Sequence, residues 1–242
     1  MSRPAFVERE RKRVVARSRI GQVMFGVQDG ITTTIGIVSS MVAGHQSNAV
    51  TLFVGAASAF AGMFSMAIGS YLASTAELDV ARVELARERA RIARDPAHEI
   101  DELRQIYRSH GMTAAMARGA ARRVATDPRR MLDVMASEEF GIDATPHDDP
   151  MKDAFAIAVS FLVGAGIPIA PYALLAQPLA FPISLMLAST VLVVLGAFKA
   201  RVIGLHPWRS ALQTFAFGAS ASGLGYVMGV LLPRIIGIHA QP

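Results

Sequence analysis

The chain has 242 residues, 52% of them hydrophobic and 18% charged, with a formal net charge of +5 and no cysteine. It is too apolar for an ordinary soluble domain unless its charges are segregated, and they are: no Asp, Glu, Lys or Arg occurs from Ala154 to Phe198 or from Ser210 to Pro233. The missing cysteine excludes disulfides and thiolate metal sites, and the basic balance does not point to nucleic acid, because the bases lie beside the apolar stretches or among acids, where anionic lipid is the expected contact.

Residues 1–19 carry Arg9, Arg11, Lys12, Arg13, Arg17 and Arg19 around Phe6, Val7, Val14 and Val15, a pattern that predicts a basic amphipathic segment at a cytoplasmic membrane face. No secretory signal is expected, since no small-residue cleavage site follows the apolar run.

About 20 apolar residues cross a bilayer core, so residues 20–76 hold two spans, near 20–43 and 50–75, separated by Gly44, His45, Gln46, Ser47 and Asn48. Asp29 is the only formal charge between Arg19 and Glu77. A carboxylate at a helix centre costs about 2.5–3.5 kcal/mol on insertion scales, which makes an intramembrane acid a functional candidate; the other reading is a protonated acid hydrogen-bonded to a neighbouring helix. Gly26 and Gly30 flank it and let another backbone approach, which predicts a place inside a bundle. In the second span Met63, Met66 and Ser70 share a face, and Gly55, Ala59 and Gly62 supply a small-residue surface. Asp29 with Met66 would make a mixed oxygen and sulfur site for a divalent cation, while Met66 alone also reads as ordinary packing.

Residues 77–150 form a densely charged insert in which acids slightly outnumber bases, long enough for a small helical domain. Its first helix continues from the second span to about Ala93 and ends at Asp95-Pro96; a second runs from about Ala97 to Ser109 and stops at Gly111. Thr113 caps a third, and Asp127-Pro128 opens a fourth that ends at Gly141. Glu77, Glu84 and Glu88, Glu99 and Glu102, and Met135 and Glu139 with adjacent Glu138 recur at face-sharing spacings. Spacing leaves two readings open, exposed ion pairs with neighbouring arginines or a common metal-binding point; carboxylates with a thioether suit Fe2+ or Mn2+ better than structural zinc.

Residues 151–242 hold three further spans, near 152–171, 180–198 and 210–233, the first two divided by Pro168, Pro171, Pro178 and Pro182. Ala221, Gly225 and Gly229 recur every four residues, which predicts close helix packing or a dimer face. Lys and Arg accumulate on the cytoplasmic side, and their alternation along the loops places the N-terminus, the insert and the turn holding Lys199, Arg201 and Arg209 inside, with a short outside tail. The expected fold is an all-α integral membrane protein with five transmembrane helices and a cytoplasmic helical metal-binding domain between the second and third. No nucleophile with a positioned base and no cofactor loop is present, so the chain does not read as an enzyme.

Phe25-Gly26 followed by Asp29-Gly30, the run Ser65-Met66-Ala67-Ile68-Gly69, the insert ending Met135 to Glu139-Phe140-Gly141, and the segment Gly196 to Arg201 together resemble the vacuolar iron transporter family from about Arg19 to Leu231. The resemblance implies a homodimeric, five-span cation transporter in the cell (inner) membrane that exchanges Fe2+, and in some members Mn2+, for protons and moves metal out of the cytosol without a resident cofactor. It makes Asp29 and Met66 the intramembrane acid and methionine, matches Glu99, Glu102, Met135 and Glu139 to the cytoplasmic metal-binding domain, and adds Glu84 and Glu88 from its first helix, with Glu138 beside them. Two departures stand out: Ser70 occupies a position where many members carry glutamate, and Met135 is followed by Ala136 rather than a second methionine. Ser70 keeps a second reading open, a membrane-anchored metal sensor or scaffold without transport.

Overall fold

The computed structural model describes residues 5–139 and 149–236, with side chains from residue 20 onward except at Gln177. Among these residues it is all-helical: α1 (Ala5–Ala43), α2 (Asn48–Arg94), α3 (Pro96–Ser109), α4 (Ala114–Val124), α5 (Pro128–Glu139), α6 (Pro150–Leu174), α7 (Gln177–Ile203) and α8 (Pro207–Ile236). The amphipathic side chains expected before residue 20, the Phe140-Gly141 helix end and the tail beyond Ile236 lie outside the described residues. The chain divides within α2 into two compact units, Met1–Tyr71 with Pro150–Pro242, and Leu72–Asp149.

In the first unit α1 is the central helix, packed on α6, α7 and α8 with Ile31, Ile35 and Val38 fully buried. Four helices, α2, α6, α7 from Pro178 and α8, are long and apolar enough to cross a membrane. Polar residues such as Gln22, Gln28, Asp29, Thr32 and Ser39 interrupt the apolar run of α1, which is not among the four. Part of this polarity is met within the bundle. Thr32 Oγ1 donates to the Gln28 carbonyl at 2.8 Å, and Ser39 Oγ reaches the Ile35 carbonyl at 2.7 Å and lies 2.8 Å from Ser222 Oγ on α8.

Glycines set the crossings. A Cβ on Gly30 would run into the Phe161 carbonyl of α6, and one on Gly164 into the Val27 carbonyl of α1, so the Asp29 segment lies inside the bundle as the flanking glycines predict. Across α1 and α8, a Cβ on Gly225 would strike Gly36, and one on Gly229 the Ser40 carbonyl. The stripe of Ala221, Gly225 and Gly229 therefore serves the α1–α8 contact within the chain, the close helix packing expected of it.

The prolines act differently from the sequence expectation as well. Pro168 and Pro171 lie inside α6 and Pro182 inside α7, and the helix break falls between Leu174 and Gln177. Packed neighbours let a membrane helix carry interior proline, and Ser184 Oγ of α7 donates to the Pro168 carbonyl at 2.7 Å. The α1–α2 turn, where His45 takes φ +54, is tied to the α6–α7 turn by Asn48 Nδ2 donating to the Leu175 carbonyl at 2.9 Å, so both turns sit at one end of the bundle.

In the second unit local signals set the helix ends. Asp95 accepts from the His98 amide at 3.1 Å and caps α3, Thr113 accepts from Met116 at 3.4 Å and caps α4, and Asp127 accepts from Arg129 at 3.0 Å ahead of Pro128. Gly111 supplies the positive φ, +87, that the turn after α3 needs. An apolar cluster of Ile92, Leu103, Ala121, Met131, Leu132 and Met135 holds these helices together; each fully buried large side chain contributes about 1.5–3 kcal/mol.

Candidate metal-binding sites

Asp29 is half-buried on α1, one residue before the glycine seated on the Phe161 carbonyl. Among the described residues no hydrogen bond or ion pair joins Asp29 to a neighbouring helix. Met66 is half-buried on α2 and packs on the cluster of Ala59, Phe161, Ala165 and Ile169, where Gly62 also meets the Phe161 ring. Both candidates thus adjoin Phe161, Asp29 through its backbone neighbour and Met66 through its side chain. Ser70, one turn beyond Met66, is half-buried.

The second unit brings three of the predicted glutamates to one point. Glu88 of α2 is fully buried and Glu99 of α3 is 2% exposed. The Arg91 guanidinium stands between them: its Nε donates to Glu88 Oε2 at 2.9 Å and lies 4.0 Å from Glu99 Oε1, Nη2 also pairs with Glu88 Oε2, and Nη2 reaches Glu139 Oε2 of α5 at 3.2 Å. One guanidinium is therefore shared among three carboxyl groups. Glu88 Oε1 and Glu99 Oε2 remain buried without any hydrogen-bond partner. Buried carboxylates under-compensated in this way are costly unless a further cation or proton reaches them.

Their acidities carry the same strain. Burial pushes the Glu99 carboxyl above the ordinary glutamate value of 4.5, and the charges of Glu88 and Glu102 push it further. Burial also raises Glu139, against the opposing pull of Arg91. Glu102, half-buried one turn after Glu99, takes part through its field.

The remaining candidates lie elsewhere or are otherwise engaged. Glu84 pairs with Arg87 at 2.6 Å, the ion-pair reading, and Glu138 is 3.7 Å from His110 Nδ1. Met135 is fully buried in the apolar cluster with Leu103 and Met131. Among the described residues no three His, Asp or Glu side chains are disposed to hold one ion as they stand. Arg91 occupies the point on which Glu88, Glu99 and Glu139 converge, and it is the residue that sequence reasoning missed. Its only sequence signal is the i, i+3 spacing from Glu88, which predicts an ordinary surface pair.

Comparison with known proteins gives matches along most of the chain. The sequence profile of the VIT family matches residues 20–230. The chain is 30% identical over 222 residues to vacuolar iron transporter 1 of Tulipa gesneriana, covering 91% of this chain and 90% of the relative. It is 28% identical over 218 residues to vacuolar iron transporter 1 of Arabidopsis thaliana, covering 90% and 87%, and 27% identical over 230 residues to the vacuolar iron transporter of Plasmodium falciparum, covering 91% and 84%. The match spans both the bundle helices and the insert, and on that extent the chain belongs to the VIT family.

Proposed function

We propose that this protein is a divalent-metal transporter that exports Fe2+, and Mn2+ as a second cargo, from the cytosol in exchange for protons, with the insert collecting the ion and Asp29 and Met66 carrying it across. The observation that carries this reading is the convergence of Glu88, Glu99 and Glu139 with two buried, partnerless oxygens, a set of hard donors with unspent negative charge. Relatives named as iron transporters support iron as the cargo.

In this reading α1 is a fifth span packed on α6, α7 and α8, and the Asn48–Leu175 bond supports putting the α1–α2 and α6–α7 turns together on the outer side. The N-terminus and the insert then face the cytoplasm of a cell whose inner membrane holds the protein. A two-fold homodimer would bring two copies of Asp29 near one axis, making good the carboxylate missing at Ser70. A carboxylate in low dielectric binds either a proton or a cation, and exchanging the two on Asp29 couples the fluxes.

Proteoliposomes with a trapped metal-sensitive dye and an imposed pH gradient test the reading. Fe2+ entry accompanied by proton movement in the opposite direction is expected. Metal binding without flux would favour the sensor or scaffold reading.

A further inference from the structure

Resting on the reading that the insert binds metal, we propose that Arg91 is a built-in counter-cation of the carboxylate site, which an incoming divalent ion must displace, so that Arg91 sets the affinity with which the insert holds its cargo.

Three helices bring their carboxylates to this one guanidinium, which contacts Glu88 and Glu139 and approaches Glu99. An arginine present only to stabilise the insert would pair with one carboxylate at the surface; here carboxylates from three helices meet it at once. The compensation it gives is incomplete. Glu88 and Glu99 each keep one buried oxygen with no partner, and the one guanidinium is shared among three carboxyl groups. A divalent ion drawing those oxygens to about 2.0–2.2 Å would satisfy them better than a guanidinium at hydrogen-bond length.

Ion and arginine cannot hold the point together, because like charges in contact repel. Arg91 has a way out. Its side chain is 45% exposed and Glu139, on the open side, is 24% exposed, so the head can turn to solvent about its own stem while Glu88, on the same helix, stays in place. A site with its own competing cation binds more weakly than its carboxylate count suggests, which suits an insert that must give the ion up again.

The test uses the full-length protein in nanodiscs with Mn2+ as probe, free ion being read by electron paramagnetic resonance. Arg91→Gln is expected to bind Mn2+ about tenfold more tightly than wild type, while Glu88→Gln and Glu99→Gln weaken binding. Weakened binding in both glutamate variants with unchanged or reduced affinity in Arg91→Gln would overturn the role of Arg91 and leave the metal site standing. Unchanged binding in both glutamate variants would overturn the site and this inference together. Should Arg91→Gln lose helical content, Arg91→Lys carries the test: its shorter, single-headed cation is expected to give a smaller gain in affinity, and no gain overturns the proposal.

Discussion

Glu88→Gln separates a structural carboxylate from a ligand, because the two roles predict opposite results. Glu88 is fully buried, accepts from Arg91 through Oε2 and leaves Oε1 without a partner. The amide keeps the shape and one acceptor, so the loss is the charge assistance of a hydrogen bond, and bonds to charged groups contribute about 1.5–3 kcal/mol. Against this stands relief of the desolvation of a buried ion, several kcal/mol by itself, and of its repulsion with Glu99 and Glu139. The terms nearly cancel, and the variant is expected to fold with a stability within about 1 kcal/mol of wild type. Metal affinity has no such compensation, because a charged oxygen donor becomes a neutral one, and a loss of about ten- to a hundredfold is expected. Hydrogen exchange of α3 and α5 reads the first quantity and Mn2+ titration of the full-length protein the second. A loss of more than about 3 kcal/mol with unaltered Mn2+ binding is the signature of a broken buried ion pair, and it would refute the ligand assignment.

Other outcomes follow from the same geometry. Glu99 and Glu139 bind protons more tightly in the folded insert than the ordinary 4.5 allows, so the native state takes up protons first as pH falls toward that value. Without metal, the insert should therefore gain stability from neutral pH down through this window, with slower exchange in α3 after correction for intrinsic rates; Glu99→Gln should flatten the trend, and a loss of stability over the window would contradict the burial argument. Gly225→Val would drive a side chain into Gly36 across the α1–α8 crossing and should cost about 1–3 kcal/mol or more, whereas Gly223→Val, with open space at its Cβ, should leave thermal stability in detergent near wild type. Ser70→Glu adds a carboxylate one turn beyond Met66 and should make metal flux depend more steeply on an imposed pH gradient; an unchanged dependence would remove Ser70 from the path.

Much of the fold was legible because its signals are local. Asp95, Thr113 and Asp127 cap helices through bonds to amides two or three residues on, and Gly111 takes its positive φ within a single turn. Prolines misled where tertiary context overrides a local rule, since Pro168 and Pro171 stay inside α6 against packed neighbours. Gly225 and Gly229 signalled a close contact correctly but not its partner, which is α1 of the same chain. The candidate sites follow the same division. Helical spacing picked out Glu88, Glu99 and Glu139 one helix at a time, yet their meeting at Arg91 depends on how α3 and α5 pack against the end of α2. Spacing placed Met135 four residues before Glu139 on one face of α5 but could not show that its side chain is buried beside Leu103.

The central claim is that metal crosses the membrane by way of Asp29, the one formal charge in its span and an acid without a protein partner among the described residues. Fe2+ flux into proteoliposomes, measured for wild type and Asp29→Asn at equal reconstitution with insert binding verified in both, tests it most directly. The account predicts that Asp29→Asn binds metal at the insert and does not transport it; equal flux in the two proteins would contradict it.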